Sequence, residues 1–251
     1  MPVALSVNVN AIAELRNRRN LPWPSVVDLA RLALAAGAAG ITVHPRPDER
    51  HIRPQDVTEI ARMMSEEFPD REFNVEGNPD SRFIALTAAV RPHQVTLVPD
   101  DIRQATSDHG WDITTHRKFL TNVIADLKDN GARTAIFVDA EPETASLAHE
   151  VGADRIEIFT GPYGGESDPI AQSAAFQHIV ETGQAAADLG LGLNAGHDLT
   201  LANLPRMIAH LPNLLEVSIG HALTADALIY GMSGAVTRYT EICAGSGTSS
   251  S

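Results

Sequence analysis

The run Ile41-Thr42-Val43-His44-Pro45-Arg46-Pro47-Asp48-Glu49-Arg50-His51 begins as an apolar, β-like segment and ends in two imidazoles and two guanidiniums. Groups so costly to desolvate are rarely strung together at a strand end for packing alone. Two further runs share the pattern: Leu191-Gly192-Leu193-Asn194-Ala195-Gly196-His197 and Leu215-Glu216-Val217-Ser218-Ile219-Gly220-His221 are apolar stretches closing on glycine and histidine. In a parallel α/β sheet the carboxyl ends of the strands converge on one face, so three histidines placed this way can line one pocket. That arrangement points to an enzyme.

Acid–base chemistry is the first use such residues suggest. His44 ends one apolar run and Glu76 ends another, Phe73-Asn74-Val75-Glu76-Gly77. An imidazole and a carboxylate over a shared core can move protons, because burial and mutual charge shift both pKa values toward neutrality. A rim ion pair for Glu76, or a hydrogen-bonded rim position for His44, is the competing structural explanation. Adding His197 strengthens the catalytic case beyond any one member. Arg46 and His51, with Arg16 and Arg19 upstream, have the chemistry to recognise phosphate or carboxylate, although exposed arginines are often ordinary surface residues. Arg16 is the weakest, since its spacing to Glu14 and Arg19 equally describes a solvated short helix. Thr106, in Gln104-Ala105-Thr106-Ser107-Asp108-His109-Gly110, offers a hydroxyl to a ligand or a cap to a short helix.

Metal binding is the rival use of histidines. A metal-dependent hydrolase barrel commonly carries His-x-His on its first strand, where this chain reads Val7-Asn8-Val9-Asn10, and asparagine is a poor ligand for a transition metal. No lysine closes a strand run, which weakens a Schiff-base aldolase. The single cysteine, Cys243, excludes an internal disulfide framework and a multi-thiolate metal site.

Elements able to position these groups are visible in the periodicity. Strand-like runs fall at 5–10, 40–45, 72–77, 94–99, 133–139, 155–161, 191–196 and 214–221, separated by helical patterns at 25–37, 54–68, 81–90, 116–130, 141–152, 172–190, 199–211 and 224–243. Eight strand–helix units in a chain of roughly 240 residues is the count expected of a single (β/α)8 TIM barrel. Pro24-Ser25 and Glu141-Pro142-Glu143 read as helix starts, and Gly37, Gly131, Gly152 and Gly190 fall where helices should stop. The connections 11–24, 46–53 and 100–115 are longer than usual and all follow strands, on the face where barrel active sites are built. Gly196-His197-Asp198-Leu199-Thr200 is echoed 24 residues later by Gly220-His221-Ala222-Leu223-Thr224, with a threonine placed to cap a helix each time. Loops in these last two units commonly cradle phosphate. Residues 1–243 read as one barrel domain and 244–251 as a flexible polar tail.

The bulk composition narrows the partners. A formal charge of −13 and a pI near 5.1 argue against a nucleic-acid-binding surface, while a few arginines can still focus positive potential on a small anion. No window approaches the ~18 apolar residues of a membrane span and the amino terminus lacks a targeting pattern, so a soluble cytoplasmic protein is expected.

Taken in order, Val7-Asn8, Leu15-Arg16-Asn17-Arg18-Arg19, Gly40-Ile41-Thr42-Val43-His44, Arg50-His51-Ile52, Leu97-Val98-Pro99, Thr160-Gly161, Asn194-Ala195-Gly196-His197 and Ile219-Gly220-His221 form a specific set. With these motifs the chain resembles the pyridoxine 5′-phosphate synthase family nearly end to end. The resemblance implies condensation of 1-deoxy-D-xylulose 5-phosphate with 3-amino-2-oxopropyl phosphate, giving pyridoxine 5′-phosphate, inorganic phosphate and water, with no metal or organic cofactor. It implies a (β/α)8 barrel with extra short helices in the loops, assembled as a homo-octamer. By matching position it gives proton-acceptor roles to His44 and Glu76 and a proton-donor role to His197. It places Asn8, Arg19, Gly220 and His221 around the amino-ketone phosphate, and Arg46, His51 and Thr106 around the deoxyxylulose phosphate.

The chain departs from the commonest family pattern at Asn10 and Ala11, where an aspartate and a histidine are usual on the sugar-phosphate side, and at Asp198, where glycine usually follows the histidine. Asn10 can hydrogen-bond a hydroxyl but cannot take a proton, and Ala11 can do neither. Asp198 repels a phosphate unless only its backbone N–H faces the ligand. A different phosphosugar isomerase or epimerase on the same scaffold, using His44 and Glu76, and a non-catalytic phosphometabolite sensor are the alternative functions.

Overall fold

The computed structural model describes residues 2–19, 21–100 and 106–245. Eight parallel strands close into a barrel in sequence order: β1 Ala4–Asn8, β2 Gly40–Val43, β3 Glu72–Gly77, β4 Gln94–Leu97, β5 Arg133–Val138, β6 Arg155–Phe159, β7 Gly192–Gly196 and β8 Leu214–Ile219, with β8 pairing back onto β1. The expected (β/α)8 fold is therefore the observed one. Several strands stop one or two residues short of their apolar runs. β2 ends before His44-Pro45, for example, where Pro45 has no N–H to give the ladder.

Helices α1 Asn10–Asn17, α2 Val26–Ala35, α3 Pro54–Glu67, α4 Ser81–Val90, α5 Ile113–Asp129, α6 Pro142–Glu150, α7 Gly161–Gly164, α8 Pro169–Asp188, α9 Leu204–His210 and α10 His221–Cys243 surround the barrel. Gly37, Gly131, Gly152 and Gly190 all adopt positive φ just beyond helix ends, the left-handed exit their placement predicts. Helix α1 occupies much of the expected connection 11–24; it buries only Ile12 and Ala13 and has no side-chain N-cap, so its sequence carries little helical signal. The Gly-His echo is not a structural repeat. After β7 the backbone turns through His197 (φ 80) and Asp198 (φ 54), with Thr200 Oγ1 accepting from Ala202 and Asn203 N–H, so α9 starts later than 199. After β8, α10 starts directly at His221, three residues ahead of the expected 224, and Thr224 is a helix-interior residue rather than a cap.

Inside the barrel, alternate residues are polar. Ser6 and Thr42 share a hydroxyl hydrogen bond of 2.6 Å, Asn74 Nδ2 donates to Thr42 Oγ1 and Thr96 Oγ1 donates to Asn74 Oδ1. Asn194 Nδ2 on β7 donates to Gln94 Oε1 on β4, a bond between non-adjacent strands that crosses the interior. The intervening Val7, Ile41, Val43, Phe73 and Val75 belong to the apolar core that the helices cover. Residues 246–251 of the expected tail, and 101–105 of the long connection 100–115, lie outside the described residues. No helix among the described residues is long and apolar enough to cross a membrane.

Candidate active site

Three asparagine contacts tie the ends of β1, β2 and β3 together. Asn10 Oδ1 accepts the backbone N–H of His44 at 2.9 Å, Asn8 Oδ1 accepts the N–H of Asn10 at 3.0 Å, and Asn8 Nδ2 donates to Glu76 Oε2 at 3.4 Å. Asn10 thus begins α1 rather than ending β1, and its amide oxygen is spent on the backbone of a proposed base. His44 and Glu76 are both buried, with His44 Nδ1 4.0 Å from Glu76 Oε2. On its other side His44 Nε2 is in ion-pair contact with Asp100 Oδ2, and Asp100 Oδ1 lies 3.4 Å from Arg46 Nη1.

The loop 46–53 is held from α1. Asn17 Nδ2 donates to the carbonyls of Glu49, Arg50 and His51, at 2.7 Å for the last, and Arg16 Nη2 reaches the same His51 carbonyl. Arg16 is not solvated: it forks onto Asp56, whose Oδ2 also accepts the N–H of Arg53 at the start of α3. The Leu-Arg-Asn segment is thereby the scaffold of the loop carrying Arg46 and His51. His51 Nδ1 accepts from the N–H of Ile52 at 2.9 Å, which leaves Nε2 to carry the proton of the neutral ring. Burial, with help from His44, Arg46 and Arg50, pushes the His51 pKa down to about 3, so this ring is a neutral donor at ordinary pH.

The carboxyls behave in the opposite sense. Burial raises Glu76 well above the usual range, with Glu157, Asp100 and Glu216 adding to the effect, and burial alone lifts Glu157 to about 7. Burial works against an ionised Asp100, but His44, Arg46 and Ser107 outweigh it and hold that carboxylate at about 2. His197 packs between Phe137 and Phe159, at 5.1 and 5.3 Å between ring centroids, and burial lowers it to about 4. A protonated carboxyl beside neutral imidazoles supplies both proton donors and acceptors near neutrality.

These groups open on one cavity of about 390 Å³ at the carboxyl end of the barrel. Of the sequence-predicted residues, His44, Glu76, His197, Asn8, Asn10, Ala11, Arg46, His51, Thr106, Asp198, Gly220 and His221 all line it. Arg19 does not: it is exposed, beyond the end of α1. The cavity also shows what sequence reading passed over, chiefly Glu157, which is 2 % exposed with Oε2 lacking a hydrogen-bond partner among the described residues, and Ser107. Asp100, joined to His44 and Arg46, was missed as well. At the far wall, α10 presents its amino terminus to the cavity with no side-chain cap and no acidic residue in its first turn. Its unsatisfied N–H groups and dipole suit a phosphate. Gly220 lets the start of α10 close against the end of β1, since a Cβ there would meet three atoms of Asn8 at 3.1 Å.

Comparison with known proteins gives the chain's family and fold. The family profile described as "Pyridoxal phosphate biosynthesis protein PdxJ" matches residues 5–245. Among curated relatives, a pyridoxine 5′-phosphate synthase of Chelativorans sp. (strain BNC1) is 55% identical over 246 residues, covering 97% of this chain and 99% of its own length. One from Rhizobium meliloti (strain 1021) is also 55% identical over 246 residues, covering 97% of this chain and 98% of the relative. Solved structures that align include phosphoribosylanthranilate isomerase from Thermotoga maritima (TM-score 0.63, 12% identity, 97% of this chain and 99% of that one). Tryptophan synthase from M. tuberculosis aligns similarly (TM-score 0.63, 14% identity, 97% and 93%). At such identities these structures share the fold alone.

Proposed function

Because the chain belongs to the PdxJ family of pyridoxal phosphate biosynthesis proteins, we infer that it is a pyridoxine 5′-phosphate synthase whose chemistry takes place in the cavity over the barrel. Its substrates are two phosphorylated small molecules, 1-deoxy-D-xylulose 5-phosphate and 3-amino-2-oxopropyl phosphate. The amine of one condenses with the ketone of the other; phosphate is eliminated, protons shift and the ring closes. The observation that carries the site assignment is the meeting of His44, Glu76 and His197 in one cavity with an uncapped helix terminus on its wall.

In this reading His44 accepts protons from the condensing amine. Glu76, held protonated by burial, gives a proton to departing oxygen and takes one back from carbon; Glu157 stands beside it as a second carboxyl of the same kind. His197, neutral in its aromatic cleft, takes up a proton before donating it. The first-turn amides of α10, with Gly220 and His221, hold the amino-ketone phosphate, while Arg46, neutral His51 and Thr106 hold the sugar phosphate. Asn8 and Asn10 orient Glu76 and His44, and Asp198, whose side chain lies beside Gly164 and Gly165, meets the phosphate through its backbone alone in this reading. Arg19, set outside the cavity of its own chain, contributes only if assembly carries it to one.

We assign the protein to the cytoplasm and to a homo-octamer. Support for assembly is the family resemblance together with large apolar side chains left exposed on α10, Leu228 at 80% and Ile229 at 74%. The purified protein given both phosphates should release inorganic phosphate and form a product with pyridoxine-like absorbance; folded protein that yields neither signal overturns the assignment. Glu76→Gln should lower kcat by about two to four orders of magnitude.

A further inference from the structure

Asp100 sets a carboxylate against two groups that line the cavity, His44 and Arg46, and we propose that it is a stand-in counter-ion which the sugar phosphate displaces from them. The proposal rests on the synthase reading of this cavity. Its side chain is 1% exposed and its two oxygens are divided between the proposed phosphate arginine and the proposed base. Both groups are therefore occupied by the protein's own carboxylate until a competing anion arrives.

The geometry of the pairing favours exchange. Asp56 grips Arg16 through two oxygens and also accepts a backbone N–H, as a structural ion pair does. Asp100 Oδ1 receives one short hydrogen bond, 2.8 Å from Ser107 Oγ, and is 3.4 Å from the guanidinium. Neither Asp100 Oδ2 nor His44 Nε2 has a directed hydrogen bond among the described residues, despite their contact. A phosphate dianion held by Arg46 would stand against the Asp100 carboxylate at close range in a poorly solvated site, and two like charges there repel strongly. The carboxylate has space to withdraw: Asp100 lines a separate cavity with Asn78, His109, Trp111 and Asp139. Asp139 in that space keeps the withdrawal from becoming permanent. Displacement releases His44 Nε2 at the moment the sugar phosphate is seated, so the base is uncovered by the substrate it serves.

Removing the charge removes the competitor. Asp100→Asn should bind 1-deoxy-D-xylulose 5-phosphate about tenfold more tightly by calorimetry, and inorganic phosphate should become a correspondingly stronger competitive inhibitor against it. The KM for the sugar phosphate should fall with it, and kcat/KM for that substrate should rise. Asp100→Ser gives the same readouts if the asparagine variant does not fold. Were Asp100 instead a fixed orienter of His44, either variant would lose kcat/KM and gain no affinity, and that result overturns the proposal. Wild-type protein that binds but does not turn over, with the affinity gain still present in the variant, would count against the synthase reading and leave the counter-ion standing.

Discussion

His51 gives a stability signature whose size follows from its surroundings. Its folded pKa of about 3 lies below the value of 6.5 for the free side chain, so the folded protein refuses a proton that the unfolded chain accepts. The stability this ring contributes is complete above 6.5 and is lost as pH falls toward the folded value. At about pH 5 the interval from the unfolded pKa is about 1.5 units, and at about 1.36 kcal/mol per unit the penalty is about 2 kcal/mol. Wild-type protein alone will not display it, because Glu157, raised to about 7, has the opposite sign: it gains stability as pH falls from 7 toward its unfolded value. A difference measurement isolates the histidine. Urea unfolding of His51→Gln and wild type at equal protein concentration should show the variant gaining about 2 kcal/mol relative to wild type between about pH 8 and about pH 5. A gap that stays level across this range would mean that His51 ionises alike in both states, and the reading of it as a buried neutral donor would be wrong.

Gly220→Ala puts a methyl 3.1 Å from the Cβ, O and Oδ1 of Asn8, and because Asn8 holds both Glu76 and the N–H of Asn10, kcat/KM should fall about tenfold or more with little change in Tm. Asn17→Ala removes one donor from three loop carbonyls; it should raise KM for the sugar phosphate more than it lowers kcat, and cost about 1–3 kcal/mol in urea unfolding.

The barrel and most of the residues that line its cavity are legible in the sequence because the relevant signals are local. Eight alternations of short β-branched and longer amphipathic segments determine the fold class, and three strand-end histidines mark the open face. What escaped notice depends on closure. Asp100 follows Pro99 in a polar loop, and its partner Arg46 is 54 residues away; only the β2–β3–β4 pairing brings them together. Arg16 reads as a surface helix residue until Asp56, 40 positions later, arrives beside it. Glu157 lies inside Arg155-Ile156-Glu157-Ile158-Phe159 with no motif around it, yet its signal is local: residues alternate in facing, so a glutamate between two isoleucines must point into the barrel. The same alternation marks Ser6, Thr42, Asn74, Thr96 and Glu216, a polar lining that a search for apolar runs overlooks.

That lining also separates the two ends of the barrel. At the closed end the inward carboxylates have arginines: Glu72 pairs with Arg133 and Glu216 with Arg155, whose Nη1 also donates to Asn194. These pairs fix the strands, yet burial and the neighbouring Glu72 outweigh Arg155 and still raise Glu216 well above the usual carboxylate range. At the open end Glu76 and Glu157 have no arginine among the described residues, and the shortfall is met by protonation. An arginine beside Glu76 would relieve its burial and lower its pKa, removing the proton that the proposed chemistry uses. The incomplete satisfaction of the open end thus suits the proposed chemistry, and the ion pairs of Arg133 and Arg155 lower in the barrel hold the geometry that tolerates it.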